Sequence, residues 1–217
     1  MARTKDPELE QRRRLLILGT ARRLLVEGSH ASVTLDRVAA EAGISKGMLT
    51  YYFPSKERLI TETIALFLHE QETLLGAIVR DDRSFRERLE LLIEAALPSR
   101  GALDAELRLQ AEVLSFAKEN PETLEAVRSL YRRFRHACEA LVEVGIRDGT
   151  VTAPNARASY LLVHALVDGL SLQISLDPAL DVADVRKRAV AAITSLLRAA
   201  PSPGPRRARS TPARRRP

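Results

Sequence analysis

Tryptophan is absent from the 217 residues, and cysteine occurs once, at Cys138. A lone thiol cannot close an internal disulfide, which fits a reducing compartment. Runs of Val, Ile and Thr alternating with period two are nearly missing, and with them the signature of a sheet. The first hydrophobic run, residues 15–18, is too short for a secretory core and is soon followed by Arg22 and Arg23. A long stretch without Lys or Arg, 158–176, carries His164, Asp168 and Gln173, so it reads as a buried helix and not as a membrane span. The chain is therefore expected to be soluble and cytoplasmic, with no membrane partner. Gly-rich phosphate loops, Ser nucleophile elbows and HExxH are missing as well. His136 and Cys138 stand two apart and point to different sides of a helix, which offers no metal site, and Cys138 reads as a small buried apolar residue. Nothing here calls for a catalytic residue or a cofactor.

What is present is apolar residues, 45% of the chain and enough for a sizeable core, and an uneven distribution of charge. Residues 1–60 carry 11 Lys and Arg against 7 Asp and Glu, whereas 61–200 carry 17 against 21. The tail, 201–217, adds six Arg and no acid, so it accounts for the formal net charge of +6. That tail holds five of the 11 Pro and no large apolar residue, and is expected to be disordered. Its arginines suit either a non-specific nucleic-acid arm or a solvated extension. A basic head on an acidic body looks like an anion-binding module joined to something else.

Leu, Ala, Arg and Glu recur at three- and four-residue spacing throughout, which predicts an all-α fold of about nine helices. The first runs from about Glu8 to Glu27 and stops at Gly28; Thr34 caps a second, Ser45 a third and Ser55 a long fourth. A helix containing Leu89, Leu92 and Ile93 stops at Pro98, another starts near Asp104, and Asn120-Pro121 opens a long one to about Arg147. Pro154 opens the eighth and Asp181 caps the ninth, ending near Ala200. The expected division is a three-helix head over 1–55, a helical body over 56–200 and the tail over 201–217.

The second and third helices are joined by Gly43-Ile44 and have helix-turn-helix spacing. On a wheel, Leu49 and Phe53 share one side and face the core with Val38 and Ile44, while Gly47 and Tyr51 lie nearly opposite. A Gly in an exposed helix face costs roughly 1 kcal/mol relative to Ala, which makes sense where a backbone must come close to a partner. The last two helices carry apolar seams: Leu162, Leu166, Leu170 and Gln173 on one, Val185, Ala189, Ile193 and Leu196 on the other. Such helices pair with copies of themselves in a two-fold four-helix bundle, so these residues are the candidate homodimer interface. His164 and Asp168, at i and i+4 on an apolar helix, form either a structural hydrogen-bonded pair or a polar anchor in a pocket or dimer seam.

The run TLDRVAAEAGISKGMLTYYFPSKERLI, residues 34–60, resembles the DNA-binding signature of tetracycline-repressor-type regulators at Thr34, Val38-Ala39, Ala42 to Ser45, Gly47, Tyr52-Phe53, Lys56 and Leu59. One departure is Thr50, where that family often has a Tyr. GIRDGTV and HALVDGLSLQ are similar to its betaine-regulator branch. The resemblance implies a third helix lying in the major groove of double-stranded operator DNA. Lys46, Met48, Thr50 and Tyr51 would then read bases, Gly47 would permit the approach, and Thr34, Ser45, Tyr52 and Lys56 would serve the backbone contacts. Arg3, Lys5 and Arg12 to Arg14 are further backbone candidates.

It also implies a homodimer on a near-palindromic operator, acting as a repressor and released by a small-molecule effector. Candidate pocket residues are Leu92, Leu109, Val113, Phe116, Tyr131, Phe134, Cys138, His164 and Asp168. The branch raises a quaternary ammonium ligand, but a body without Trp and with few aromatics is expected to build an aromatic cage poorly. The competing reading is an all-α small-molecule-binding protein or enzyme with only non-specific DNA affinity.

Overall fold

The computed structural model describes residues 6–152 and 156–198. Among these residues are nine helices: α1 (Pro7–Glu27), α2 (Leu35–Glu41), α3 (Lys46–Tyr52), α4 (Lys56–Arg80), α5 (Phe85–Ala96), α6 (Arg100–Glu119), α7 (Pro121–Arg147), α8 (Ala156–Leu176) and α9 (Val182–Arg198). The expected tail, the Pro154 start of α8 and the contacts of Arg3 and Lys5 lie outside the described residues.

Local chemistry sets most of the starts. Side-chain oxygens of Asp6, Thr34, Ser45, Ser55, Ser84 and Asn120 each accept a backbone N–H of the first turn, at α1 to α5 and α7. Ser84 and Glu87 cap reciprocally. Gly43 turns the chain between α2 and α3 at φ 67°, a conformation that side chains disfavour. Helix α6 departs from expectation, since it begins at Arg100 and not near Asp104. The Asp104 carboxylate is no cap; it accepts a hydrogen bond from Ser175 Oγ at 2.6 Å. Tertiary contacts extend the helix backwards instead: Leu103 is buried, and Arg100 Nη2 donates to the Leu180 carbonyl at 2.8 Å.

Two apolar cores result. One gathers Ile17, Leu24, Val38, Leu49 and Phe53 of the head with Ile60, Phe67, Leu109, Phe116 and Val127 of α4, α6 and α7. The other gathers Phe85, Leu89 and Ile93 of α5 with Leu141, Ile174, Val185, Ala189 and Ile193. The second core corrects the expected dimer seam. Val185, Ala189 and Ile193 pack against α5 and α8 inside one protomer, and Ile193 is 0% exposed. They are therefore not available to a partner. Leu166 and Leu170 are half-buried against the same core, whereas Leu162, Gln173 and Leu196 face outward.

Gly145 shows how tight this second core is. A Cβ there would stand 2.5 Å from Val151 Cγ2 and 2.9 Å from the Phe85 ring. Gly19, on the exposed side of α1, would place a Cβ with nothing within 4 Å. Gly145→Ala is therefore expected to lose about 1–3 kcal/mol of stability through overpacking, and Gly19→Ala to gain about 0.5–1 kcal/mol from helix propensity. Urea unfolding followed by circular dichroism measures both, and a Gly145→Ala chain as stable as the original would contradict the packing.

Candidate nucleic-acid interface and ligand cavity

Helices α2 and α3 have only seven residues each, so they hold their shape by burying Val38, Ala39, Leu49 and Phe53. That burial fixes which side of α3 faces out. Ser45, Lys46, Gly47 and Tyr51 are exposed, Tyr51 by 60%, while Met48, Thr50, Tyr52 and Lys56 are half-buried at the margin of the face. The Tyr51 ring meets Tyr52 edge-on at 5.1 Å. A Cβ on Gly47 would meet nothing within 4 Å, so the absent side chain answers to no neighbour in the chain itself.

The polar groups of this face differ in how far they are committed. Thr34 Oγ1 and Ser45 Oγ each accept one backbone N–H at 3.2 Å and keep their hydroxyl protons for another acceptor, such as a phosphate oxygen. Thr50 Oγ1 donates to the carbonyls of Lys46 and Gly47 at 3.0 and 3.1 Å. Its proton is spent within the helix, which leaves an acceptor and a methyl group outward. Lys46 Nζ pairs with Asp36 at 2.9 Å, both largely exposed, and Lys56 Nζ donates to the Ala31 carbonyl. Of the α1 arginines, Arg12 is paired with Glu8 and Arg14 stacks on Phe53 and pairs with Glu62.

Where the two cores meet, α4 to α8 enclose a cavity of about 320 Å³. Leu92, Val113, Tyr131, Phe134, Cys138, His164 and Asp168 line it as expected. Leu109 and Phe116 do not. They sit on the adjoining side of α6, buried with Val113 against the head, because an α-helical stripe broad enough to serve both neighbours looks continuous in sequence. Sequence reasoning missed Phe67, Gln71, Glu106, Gln110, Tyr160 and Ser171 among the lining. A Glu or Gln within a helix reads as a solvated face, so only the fold could find Glu106 and Gln71.

Three aromatic rings of the wall converge on His164: Tyr131 at 5.3 Å, Tyr160 at 5.4 Å and Phe134 at 6.4 Å. Few as the aromatics of the body are, three of them thus meet at one side chain of the wall. Tyr131 and Phe134 are i and i+3 on α7, Tyr160 and His164 are i and i+4 on α8, and the two pairs face each other across the helix seam. His164 Nδ1 is 3.1 Å from the Asp168 carboxylate, so the pair is hydrogen-bonded and also lines the cavity. The Tyr160 hydroxyl is buried with no hydrogen-bond partner in the protein. Such a group wants one.

Among the described lining residues there is no Lys or Arg, but there are two carboxyl groups, Glu106 and Asp168. Burial pushes the Glu106 carboxyl above the usual carboxylate range, opposed by the charge of Arg22. Gln71 Nε2 donates to Glu106 Oε1 at 3.3 Å. Burial also pushes the Tyr160 hydroxyl up to about 12 and the Cys138 thiol up to about 11, so Cys138 is no nucleophile at neutral pH. No three His, Cys, Asp or Glu side chains gather as a metal site among the described residues, and no described helix is long and apolar enough to cross a membrane.

Comparison with known proteins places both halves of the chain. Residues 17–63 match the family model for bacterial regulatory proteins of the tetR family, and residues 85–198 match the C-terminal domain of BetI-type transcriptional repressors. The HTH-type transcriptional regulator EthR of Mycolicibacterium smegmatis is 29% identical over 161 residues, 70% of this chain and 71% of its own length. The HTH-type transcriptional regulator BetI of Rhizobium meliloti is 27% identical over 171 residues, 79% of this chain and 82% of its own. A solved structure described as a transcriptional regulator from Saccharomonospora viridis, in complex with choline, aligns at a TM-score of 0.72 and 26% identity, covering 81% of this chain and 92% of its own.

The raised Glu106 carboxyl carries a pH signature. Stability from its protonated form is present at low pH and is lost as pH rises through the raised folded value. Glu106→Gln removes that loss. The variant is expected to be more stable than the natural chain at pH 7, with the gap closing below about pH 4.3, the ordinary Glu value. Urea midpoints across that range check it; a gap independent of pH would refute the assignment to Glu106.

Proposed function

Since the chain belongs to the tetR family of bacterial regulators, with a BetI-type repressor C-terminal domain, and is a DNA-binding transcription regulator in a family that is not enzymatic, we propose that it acts in the cytoplasm as a homodimeric repressor on a near-palindromic operator, released by an organic cation bound in the cavity. The observation that carries this reading is the position of α6. One side of that helix supplies Glu106, Leu107, Gln110 and Val113 to the cavity. The adjoining side buries Leu109, Phe116 and Ala117 against the head, with Val113 shared between core and cavity, and there Glu112 also accepts the His30 backbone N–H at 2.7 Å and meets its ring Nδ1 at 2.9 Å. A ligand that fits the cavity better at one position of α6 than at another therefore biases where the head sits.

The charge of the effector follows from the wall. Two carboxyl groups, three aromatic rings around His164 and the absence of Lys and Arg among the described lining residues favour a cation and disfavour an anion. Choline in the Saccharomonospora viridis relative has this chemistry, and about 320 Å³ leaves room for an apolar body beside the charged group.

The dimer reading is supported by an uncovered apolar strip on α8. Leu161, Leu162, Leu172 and Leu176 are all more than half exposed, with Ala165 and Gly169 between them. This strip, and not the inward seam of α9, offers the surface that two copies would share. A dimer also suits a short reading helix, because two half-sites one or more DNA turns apart multiply a modest single-site affinity.

Retardation of the DNA upstream of the chain's own coding region tests the whole reading. The chain is expected to retard that DNA but not a scrambled duplex. Decyltrimethylammonium below its micellar range should release the complex, whereas decanol and decanoate should not. Gly47→Ala sharpens the assignment of the reading face: its added methyl finds open space in the chain, so folding is kept while operator affinity falls by tenfold or more, on the order of the 1–3 kcal/mol of one base contact. Sequence-blind binding, or release by decanoate as well as by the cation, would sink the proposal.

A further inference from the structure

Arg22 belongs to helix α1 of the head, yet it lies against the cavity wall. Its Nη1 stands 2.6 Å from Glu70 Oε2 on α4, and its guanidinium covers the ring of Phe67, with Cζ 5.2 Å from the centroid. Phe67 is buried and lines the cavity, one helical turn from Gln71, whose amide donates to Glu106. A head cation and a cavity carboxylate are thus joined through one aromatic ring and one amide. The same arginine draws the buried Glu106 carboxyl back toward its ionised form, so the two charges sense each other in a part-buried setting where screening is weak.

We infer that Arg22 is the group through which the head reads charge in the cavity: a cation bound beside Glu106 takes over as its counter-ion and repels Arg22, loosening α1 from α4. The inference rests on the reading of the cavity as a cation site. Reciprocity fixes the sign of its consequences. If the bound cation disfavours a docked Arg22, then a docked Arg22 disfavours the cation by the same factor. Phe67 is suited to pass this on, because its ring carries the guanidinium while the residue lines the cavity. Glu70, half in solvent, is the α4 partner that the displaced arginine gives up.

The test uses the full chain and decyltrimethylammonium, with affinity measured by calorimetry from pH 5 to 9 and operator retardation measured alongside. Arg22→Gln is expected to bind the cation about fivefold tighter at the upper end of that range, as removal of one like charge at a part-buried site implies. The effect of the cation on operator affinity should fall by a similar factor. The pH midpoint of cation binding should also move upward, because Glu106 loses the charge that favours its ionised form. His164, Asp168, Tyr131, Tyr160 and Cys138 line the same cavity and are unchanged in every variant, so the difference between variants reports Glu106. Glu70→Gln breaks the same ion pair but leaves the arginine charge in place. A merely structural role predicts the same behaviour from both variants, whereas the relay predicts that Glu70→Gln does not raise the midpoint. Unchanged affinity and midpoint in Arg22→Gln, or an equal upward shift in Glu70→Gln, overturns the relay alone. A natural chain that does not bind the cation overturns the cavity reading and the relay together.

Discussion

Helix α6 cannot satisfy its two neighbours independently. Leu109, Phe116 and Ala117 are buried in the core that holds the head, while Leu103 and Leu107 belong to the core of the body, and the turns between them wall the cavity. Interiors packed at crystal-like density do not deform smoothly, so a helix gripped on both sides shifts as a unit between alternative seats. A second long lever from the head into the body is α4, which begins at the end of the reading motif and runs on to supply Phe67, Gln71 and Leu75 to the same wall. Both routes from cavity to head therefore run along single helices, and Arg22 lies where α1 meets one of them.

The recognition face is a by-product of how little core the head can make. Two seven-residue helices do not hold their shape alone, so Leu49 of α3 and Phe53 at its end are drawn into the core, and Ser45, Lys46, Gly47 and Tyr51 are left outside. Arg14, stacked on Phe53 and paired with Glu62, pins that arrangement from the outside. The face is then offered with its lysines already engaged, Lys46 by Asp36 and Lys56 by the Ala31 carbonyl. On the proposed reading, phosphates would displace these partners, and each phosphate neutralised by a lysine would release counter-ions of the DNA, which makes the affinity dependent on salt.

Much of the architecture was legible in sequence because it depends on local chemistry. Thr34, Ser45, Ser55 and Asn120 announce their helices by capping them, and Gly43 announces the turn. What sequence could not resolve was which neighbour an apolar stripe meets. Ile193 and Ala189 have the spacing of a dimer seam, yet they meet α5 of their own chain. Leu109 and Phe116 share a stripe with Val113, yet only Val113 reaches the cavity. Glu106 carried no signal at all, since its burial is produced by helices distant in sequence. The local pattern starts α6 near Asp104 and not at Arg100, because the contacts that extend it, such as Arg100 to the Leu180 carbonyl, come from segments that pattern cannot see.

The central claim is that cavity and reading face share one equilibrium. It is tested most directly by titrating decyltrimethylammonium, by calorimetry, into the free chain and into the chain saturated with its operator. The account predicts weaker cation binding on the operator, by the same factor by which the cation weakens operator binding. Equal affinities for the cation in the two states would contradict it.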